Sequence, residues 1–162
     1  MAEEHNLTLT GDFDGVVNLR VGAIIERDGK FLMAGNGGAG YLYSVGGRLR
    51  FGESAEEALL REVYEETGWH LAVESLGFIH ENFFIAKDGP YTGRKFYEIS
   101  FYYFVYVPEN FEPKQQGVTE GGRSEFLTWV TADDPRPIYP EFFREELGRP
   151  RGETRHFLTR EW

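Results

Sequence analysis

Three glutamates, Glu62, Glu65 and Glu66, are spaced i, i+3 and i+4, so on a helix their carboxylates project from one side. Like charges placed that way repel by roughly 0.2–0.5 kcal/mol per pair even when solvated, which suggests a counterion. The chain has no cysteine, and hard oxygen ligands without histidine among them favour Mg2+ or Mn2+ over zinc. Arg61 sits one residue before Glu62 and four before Glu65, close enough to orient a carboxylate through paired hydrogen bonds. An acidic stretch alone is usually a solvated helix face, so the metal reading depends on what surrounds it.

The element that must carry these acids is well marked. Ser54 followed three residues later by Glu57 forms a capping box, and Gly68 supplies a stop, which predicts a helix over residues 55 to 67. On it, Leu59, Leu60, Val63 and Tyr64 occupy a different arc from the three acids and are expected to face the core. Glu56 and Glu57 point away from the acidic arc. Upstream, Gly46-Gly47 is expected to end a short strand, YLYSV, just before the loop that leads into the helix.

Residues 47 to 69 read GRLRFGESAEEALLREVYEETGW, and here the chain resembles the Nudix hydrolase family, whose box is G-x5-E-x7-R-E-U-x-E-E-x-G-U with U bulky and apolar. Gly47, Glu53, Arg61, Glu62, Val63, Glu65, Glu66, Gly68 and Trp69 fall on its positions in order. Seven of these demand one residue type, so a chance match is on the order of one in 10^8 windows. Trp69 stands where the family usually has an aliphatic residue, which affects packing behind the helix more than chemistry.

The resemblance implies a site. Glu62, Glu65 and Glu66 would hold Mg2+ or Mn2+, the carbonyl of Gly46 would be a further ligand, and Glu53 would either support that shell through Arg61 or touch a metal directly. The activity implied is hydrolysis of a diphosphate linkage in a nucleoside diphosphate derivative: a nucleotide sugar, a dinucleotide or a nucleoside triphosphate. A fourth acid should position or deprotonate water. The family often draws it from a loop beyond the box, where Glu120 stands in TEGGRSE; Glu98 and Glu125 are rivals, with Glu53 and Glu62 behind them. The alternative is a Nudix-fold sensor that binds a nucleotide without turning it over. Such a protein would be expected to lose box carboxylates or add a DNA-binding module, and neither is visible here.

Around the box, LRVGAIIE and KFLMA flank Asp28-Gly29 as a hairpin. LAVESLGFIHENFFIA and KFYEISFYYFVYV read as two strands joined near Asp88-Gly89-Pro90, and EFLTWVT as another after a polar loop. YPEFFREEL reads as a short amphipathic helix, and ETRHFLTREW as a terminal strand or a loose tail. Phe83, Phe84, Tyr91, Phe96 and Tyr97 cluster near Arg94 and Lys95, which could stack a base and hold a phosphate, although strand aromatics are more often core. The four histidines, His5, His70, His80 and His156, show no ligand spacing and are read as structural or exposed. Together these features predict an α+β fold, an α/β/α sandwich with a mixed central sheet packed by helices. A length of 162 residues predicts one domain over 1–162, with 1–16 and 148–162 as peripheral ends.

Composition narrows the partners. A net charge of -10 opposes a nucleic-acid duplex, whose affinity comes mainly from Lys and Arg displacing counterions. The run FYYFVYV is too short to span a bilayer and the acidic start lacks an apolar stretch, so no membrane and a cytoplasmic location are expected. A small nucleoside diphosphate derivative is the expected partner, with self-association into a homodimer left open.

Overall fold

The computed structural model describes residues 8–10, 15–114, 116–118 and 124–162. Strands β1 (Thr8–Thr10), β2 (Gly15–Ile24), β3 (Glu26–Arg27), β4 (Lys30–Asn36) and β5 (Leu42–Arg48) precede helix α1 (Ala55–Thr67). Strands β6 (Ala72–Ile85), β7 (Lys95–Tyr106), β8 (Gln116–Val118), β9 (Ser124–Val130) and β10 (Ile138–Tyr139) follow. The short helix α2 (Phe143–Glu146) and strand β11 (Arg155–Arg160) complete the order. They form one mixed sheet in the order β11-β6-β7-β2-β5-β4-β9-β8, with β1, β10 and β3 paired to β2, β5 and β4. The β2–β7, β6–β11 and β5–β10 pairs are parallel.

Strand β2 is central because its apolar run can be buried on both faces. Val21, Ala23 and Ile25 pack with Val45, Leu59, Val63, Tyr103 and Phe111 on the side covered by α1. Ile24 packs with Phe31, Met33, Phe78, Tyr102 and Phe143 on the side covered by α2. A helix on each face of a mixed sheet is the sandwich expected from the order of elements. The Asp28-Gly29 hairpin also forms, both residues at positive φ (51° and 73°), as a tight two-residue turn requires. No helix among the described residues is long and apolar enough to cross a membrane.

Helix α1 has the predicted bounds: Ser54 and Glu57 make the reciprocal capping box, and Gly68 closes it at φ 80°. Its buried stripe differs from the expected one. Ala58, Leu59, Glu62, Val63 and Thr67 are buried, whereas Leu60 and Tyr64 are 36% and 47% exposed. These two lie beyond the edge of the arc that meets the sheet, and Tyr64 stacks on His70 at 4.1 Å instead.

Other differences come from pairing partners that a local reading cannot see. Gly46 and Gly47 do not end a strand but lie within β5, opposite Gly22 and Val21 of β2. Part of the polar loop, Gln116–Val118, pairs with β9. Helix α2 is only four residues long, and Tyr139, expected to begin it, pairs instead in parallel with Tyr43. The terminal ETRHFLTREW stretch forms β11, with six residues in register against β6 from Arg155↔Phe78 to Arg160↔Phe83.

Candidate active site

The α1 acids meet the sheet where β5 passes under the helix. The main-chain N–H of Gly46 donates to Glu66 at 3.0 Å. A Cβ built at Gly47 would fall 2.4 Å from the Glu62 carboxyl carbon, and one at Gly46 would fall 2.1 Å from the carbonyl oxygen of Val21. The two glycines are therefore demanded by space: one makes room for a carboxylate, the other for a neighbouring strand.

Arg61 organises the cluster. Its Nε donates to Glu53 at 2.6 Å and one terminal nitrogen donates to the other Glu53 oxygen at 3.0 Å, a bidentate pair. The second terminal nitrogen donates to Glu62 at 2.6 Å and to Glu65 at 3.4 Å. Glu53 also accepts from the Arg50 N–H at 2.8 Å and closes the loop onto the helix. These hydrogen bonds, that from Arg61 foremost, hold the Glu53 carboxyl below the usual range. Burial works against the Arg61 charge, but the bonds to Glu53 and Glu62 outweigh it and the guanidinium pKa is raised.

Glu66 behaves in the opposite way. Burial, then the negative charges of Glu125 and Glu62, push its carboxyl well above the ordinary value, and the Gly46 N–H and Arg20 offset this only in part. Carboxylate oxygens brought together at a largely buried place, where their charges repel, are a donor set that suits a hard divalent cation. Glu65 is 46% exposed at its side chain and turns toward Arg50, at 3.6 Å, and Arg61. Accordingly, no three acid or histidine side chains among the described residues converge tightly enough to form a ready metal cage.

The expected water-activating acids are scattered. Glu120 lies outside the described residues. Glu53 is engaged by Arg61, and Glu98 lies on β7, in a cleft on the α2 side. Glu125, at the start of β9, accepts from the Tyr43 hydroxyl at 2.7 Å and is the described acid whose charge bears most on Glu66.

The cleft was not apparent from local motifs. It has a volume of about 1030 Å3 and is lined by Asn18, Arg20, Arg48, Asn82, Glu98 and Phe84 among others. Arg20 and Arg48 are cross-strand neighbours on β2 and β5, and Arg20 is within electrostatic reach of Glu62, Glu66 and Glu98. The signal that could have found it is the alternation in VVNLRV: polar Asn18 and Arg20 share one face of a strand whose other face is apolar.

The aromatic cluster divides across the sheet. Phe84 stacks on Phe96 at 4.9 Å, with Tyr91 beside them, at the cleft. Tyr97, of the opposite parity on β7, stacks on Phe83 at 4.4 Å, and Trp162 packs edge-on to Phe83. Arg94 donates to the carbonyl of Gly15, and Lys95 lies over the Trp162 ring at 5.0 Å, so both cations are engaged within the protein. His80 hydrogen-bonds Thr159, and His156 lies 2.7 Å from Glu81. His5 lies outside the described residues.

Comparison with known proteins agrees with this architecture. The NUDIX domain family profile matches residues 17–159. A Bacillus subtilis strain 168 protein whose name proposes 8-oxo-dGTP diphosphatase activity is 34% identical over 86 residues, 53% of this chain and 47% of that one. The chain thus spans about half the length of the curated relatives it matches. Among solved structures, a MutT NUDIX hydrolase of Burkholderia pseudomallei is 26% identical with a TM-score of 0.58, covering 82% of this chain and 98% of that one. A MutT protein of Bacillus halodurans shares the fold at a TM-score of 0.62 and 19% identity, covering 89% and 91%.

Proposed function

The chain belongs to the Nudix domain family, and from that premise we propose that it is a pyrophosphohydrolase that splits a diphosphate linkage in a nucleoside diphosphate derivative with water. The observation that carries the reading is the cluster of Glu53, Arg61, Glu62 and Glu66 around Gly46 and Gly47, beside a cleft lined by two arginines.

Glu62, Glu66 and Glu65, with the Gly46 carbonyl, would hold Mg2+ or Mn2+. When bound, the ion supplies positive charge against the diphosphate oxygens and lowers the cost of bringing an anionic substrate to an acidic site. Arg61 is a positioning residue: its bonds to Glu53 and Glu62 fix the direction in which the Glu62 carboxylate faces. Arg20 and Arg48 orient the diphosphate from the cleft side. A water oxygen forms a new bond to one phosphorus, its proton passes to a carboxylate, and the bridging P–O bond breaks with the electrons leaving on the second phosphate. The water-activating carboxylate belongs to the stretch carrying Glu120 and Glu125. The charge that Glu125 exerts on Glu66 supports that placing.

The test is a panel of nucleoside triphosphates, dinucleotides and nucleotide sugars with Mg2+ or Mn2+, with products separated by ion exchange. Two phosphate monoesters, or a nucleoside monophosphate and pyrophosphate, are expected. Tight binding with no product from any member would favour the sensor reading instead. Replacing Glu120 or Glu125 by Gln separates the two candidate bases, since loss of a general base costs about 10^2–10^4-fold in rate.

A further inference from the structure

The cleft on the α2 side carries more information than a place for a nucleotide to lie. Sheet register sets Asn18 of β2 opposite Glu98 of β7, and Glu98 opposite Asn82 of β6. Opposed residues on neighbouring strands stand side by side, and all three line the cleft. The result is an amide, a carboxylate and an amide in one row across the floor. The Asn18 amide donates to Glu98 at 3.5 Å.

The rows on either side differ in kind. Toward the acidic cluster, the next row is Arg20, Ser100 and His80. Away from it, the next is Phe96 and Phe84, stacked at 4.9 Å with an interplanar angle of 19°. Charge for phosphate therefore lies on one side of the polar row and an apolar aromatic pair on the other.

We propose that this row reads the base of the substrate and selects guanine, with Glu98 accepting from its two adjacent N–H donors, Asn18 donating to its carbonyl oxygen, and the Phe84–Phe96 pair packing on the ring. The inference rests on the nucleotide reading above and deepens it. Guanine places a ring N–H and an exocyclic amine side by side, and one carboxylate can accept from both. Adenine and cytosine place a ring lone pair where guanine has that N–H, so the same carboxylate would face a second acceptor. Two acceptors set against each other in a half-buried site are costly, and this cost lets a polar site reject the wrong ligand.

Equilibrium binding of GMP, IMP and AMP to the full chain, by titration calorimetry, tests this without any turnover. GMP is expected to bind at least about tenfold more tightly than AMP, the worth of one hydrogen bond to a charged group. IMP, which lacks the exocyclic amine, should fall between them. Glu98→Gln should weaken GMP and, by removing the acceptor that opposes the adenine ring lone pair, leave AMP as tight or tighter, so that the preference is lost. Equal affinities for GMP and AMP in the wild-type chain would overturn the proposal, as would absence of GMP binding. Equal weakening of both by Glu98→Gln would also overturn it and would point to a ribose contact. If that variant does not fold, the GMP, IMP and AMP series on the wild-type chain still decides. Guanine preference without hydrolysis would remove the proposed activity but not this inference, and hydrolysis without base preference would do the reverse.

Discussion

On the α1 side of the sheet, Glu53, Glu62 and Glu65 come from one short stretch, and a single arginine, Arg61, ties them together. On the α2 side, the cleft floor is drawn from three strands, and Asn18 and Glu98 are 80 residues apart. The first arrangement follows from helical periodicity and a short loop. The second exists only once β2, β7 and β6 have paired in register. In the function proposed above, the ion-holding acids sit on the local scaffold, and the contacts to diphosphate and base sit on the long-range one. Substitutions on the α1 side should therefore act on rate, and those on the cleft side on selectivity or stability.

The largest effect should come from Glu66→Gln. Turnover should fall by about 10^3-fold or more, because an ion-holding charge contributes several kcal/mol to the transition state. Without metal the melting temperature should hold or rise, because a neutral amide replaces a carboxyl whose charged form burial and two neighbouring acids disfavour. Turnover near wild type would take Glu66 out of the site and dissolve the contrast between the faces.

His80 probes the other face. Burial, with the charge of His156 adding to it, lowers its pKa from 6.5 to about 4, so the folded protein keeps it neutral. The unfolded chain binds a proton below pH 6.5 and the folded one does not until about pH 4. Stability is therefore complete above pH 6.5 and declines as pH falls through that window, by up to about 3 kcal/mol. Urea unfolding across the range should show a steeper decline for the wild-type chain than for His80→Gln. Parallel curves would mean that the ring titrates as if in solvent.

The two glycines sharpen the comparison within a single strand. Gly46→Ala presses on the Val21 backbone and should cost about 1–3 kcal/mol of stability, as overpacking does. Gly47→Ala presses on the Glu62 carboxylate rather than on backbone, so it should lower turnover while shifting the melting temperature much less. The reverse pattern would show that Glu62 is fixed and β5 is the pliant partner.

The smallest effect is expected from replacing Glu56 and Glu57 together by Gln. They touch only the capping box and the helix dipole, so the melting temperature should change little, and Mg2+ affinity should stay within about twofold because distant charges are screened. Neutralising Glu62 and Glu66 should instead abolish tight binding. Equal losses in the two double variants would reduce the acidic helix to a diffuse negative field.

What the sequence by itself determined is whatever is set by neighbours along the chain. The capping box at Ser54 and Glu57, the stop at Gly68, the Asp28-Gly29 turn and the shared arc of the box acids all follow from local geometry. Tertiary structure decided the rest. Leu60 and Tyr64 are exposed because the sheet meets a narrower stripe of α1 than their hydrophobicity suggests. Gly46 and Gly47 stay inside β5 because β2 pairs with them there. Phe84 and Tyr97, both aromatic and close in the sequence pattern, part company because the pleat sends alternate residues to opposite faces. The amide and carboxylate row of the cleft depends on strand register, and one residue of slip in any of the three strands would turn its member to the opposite face.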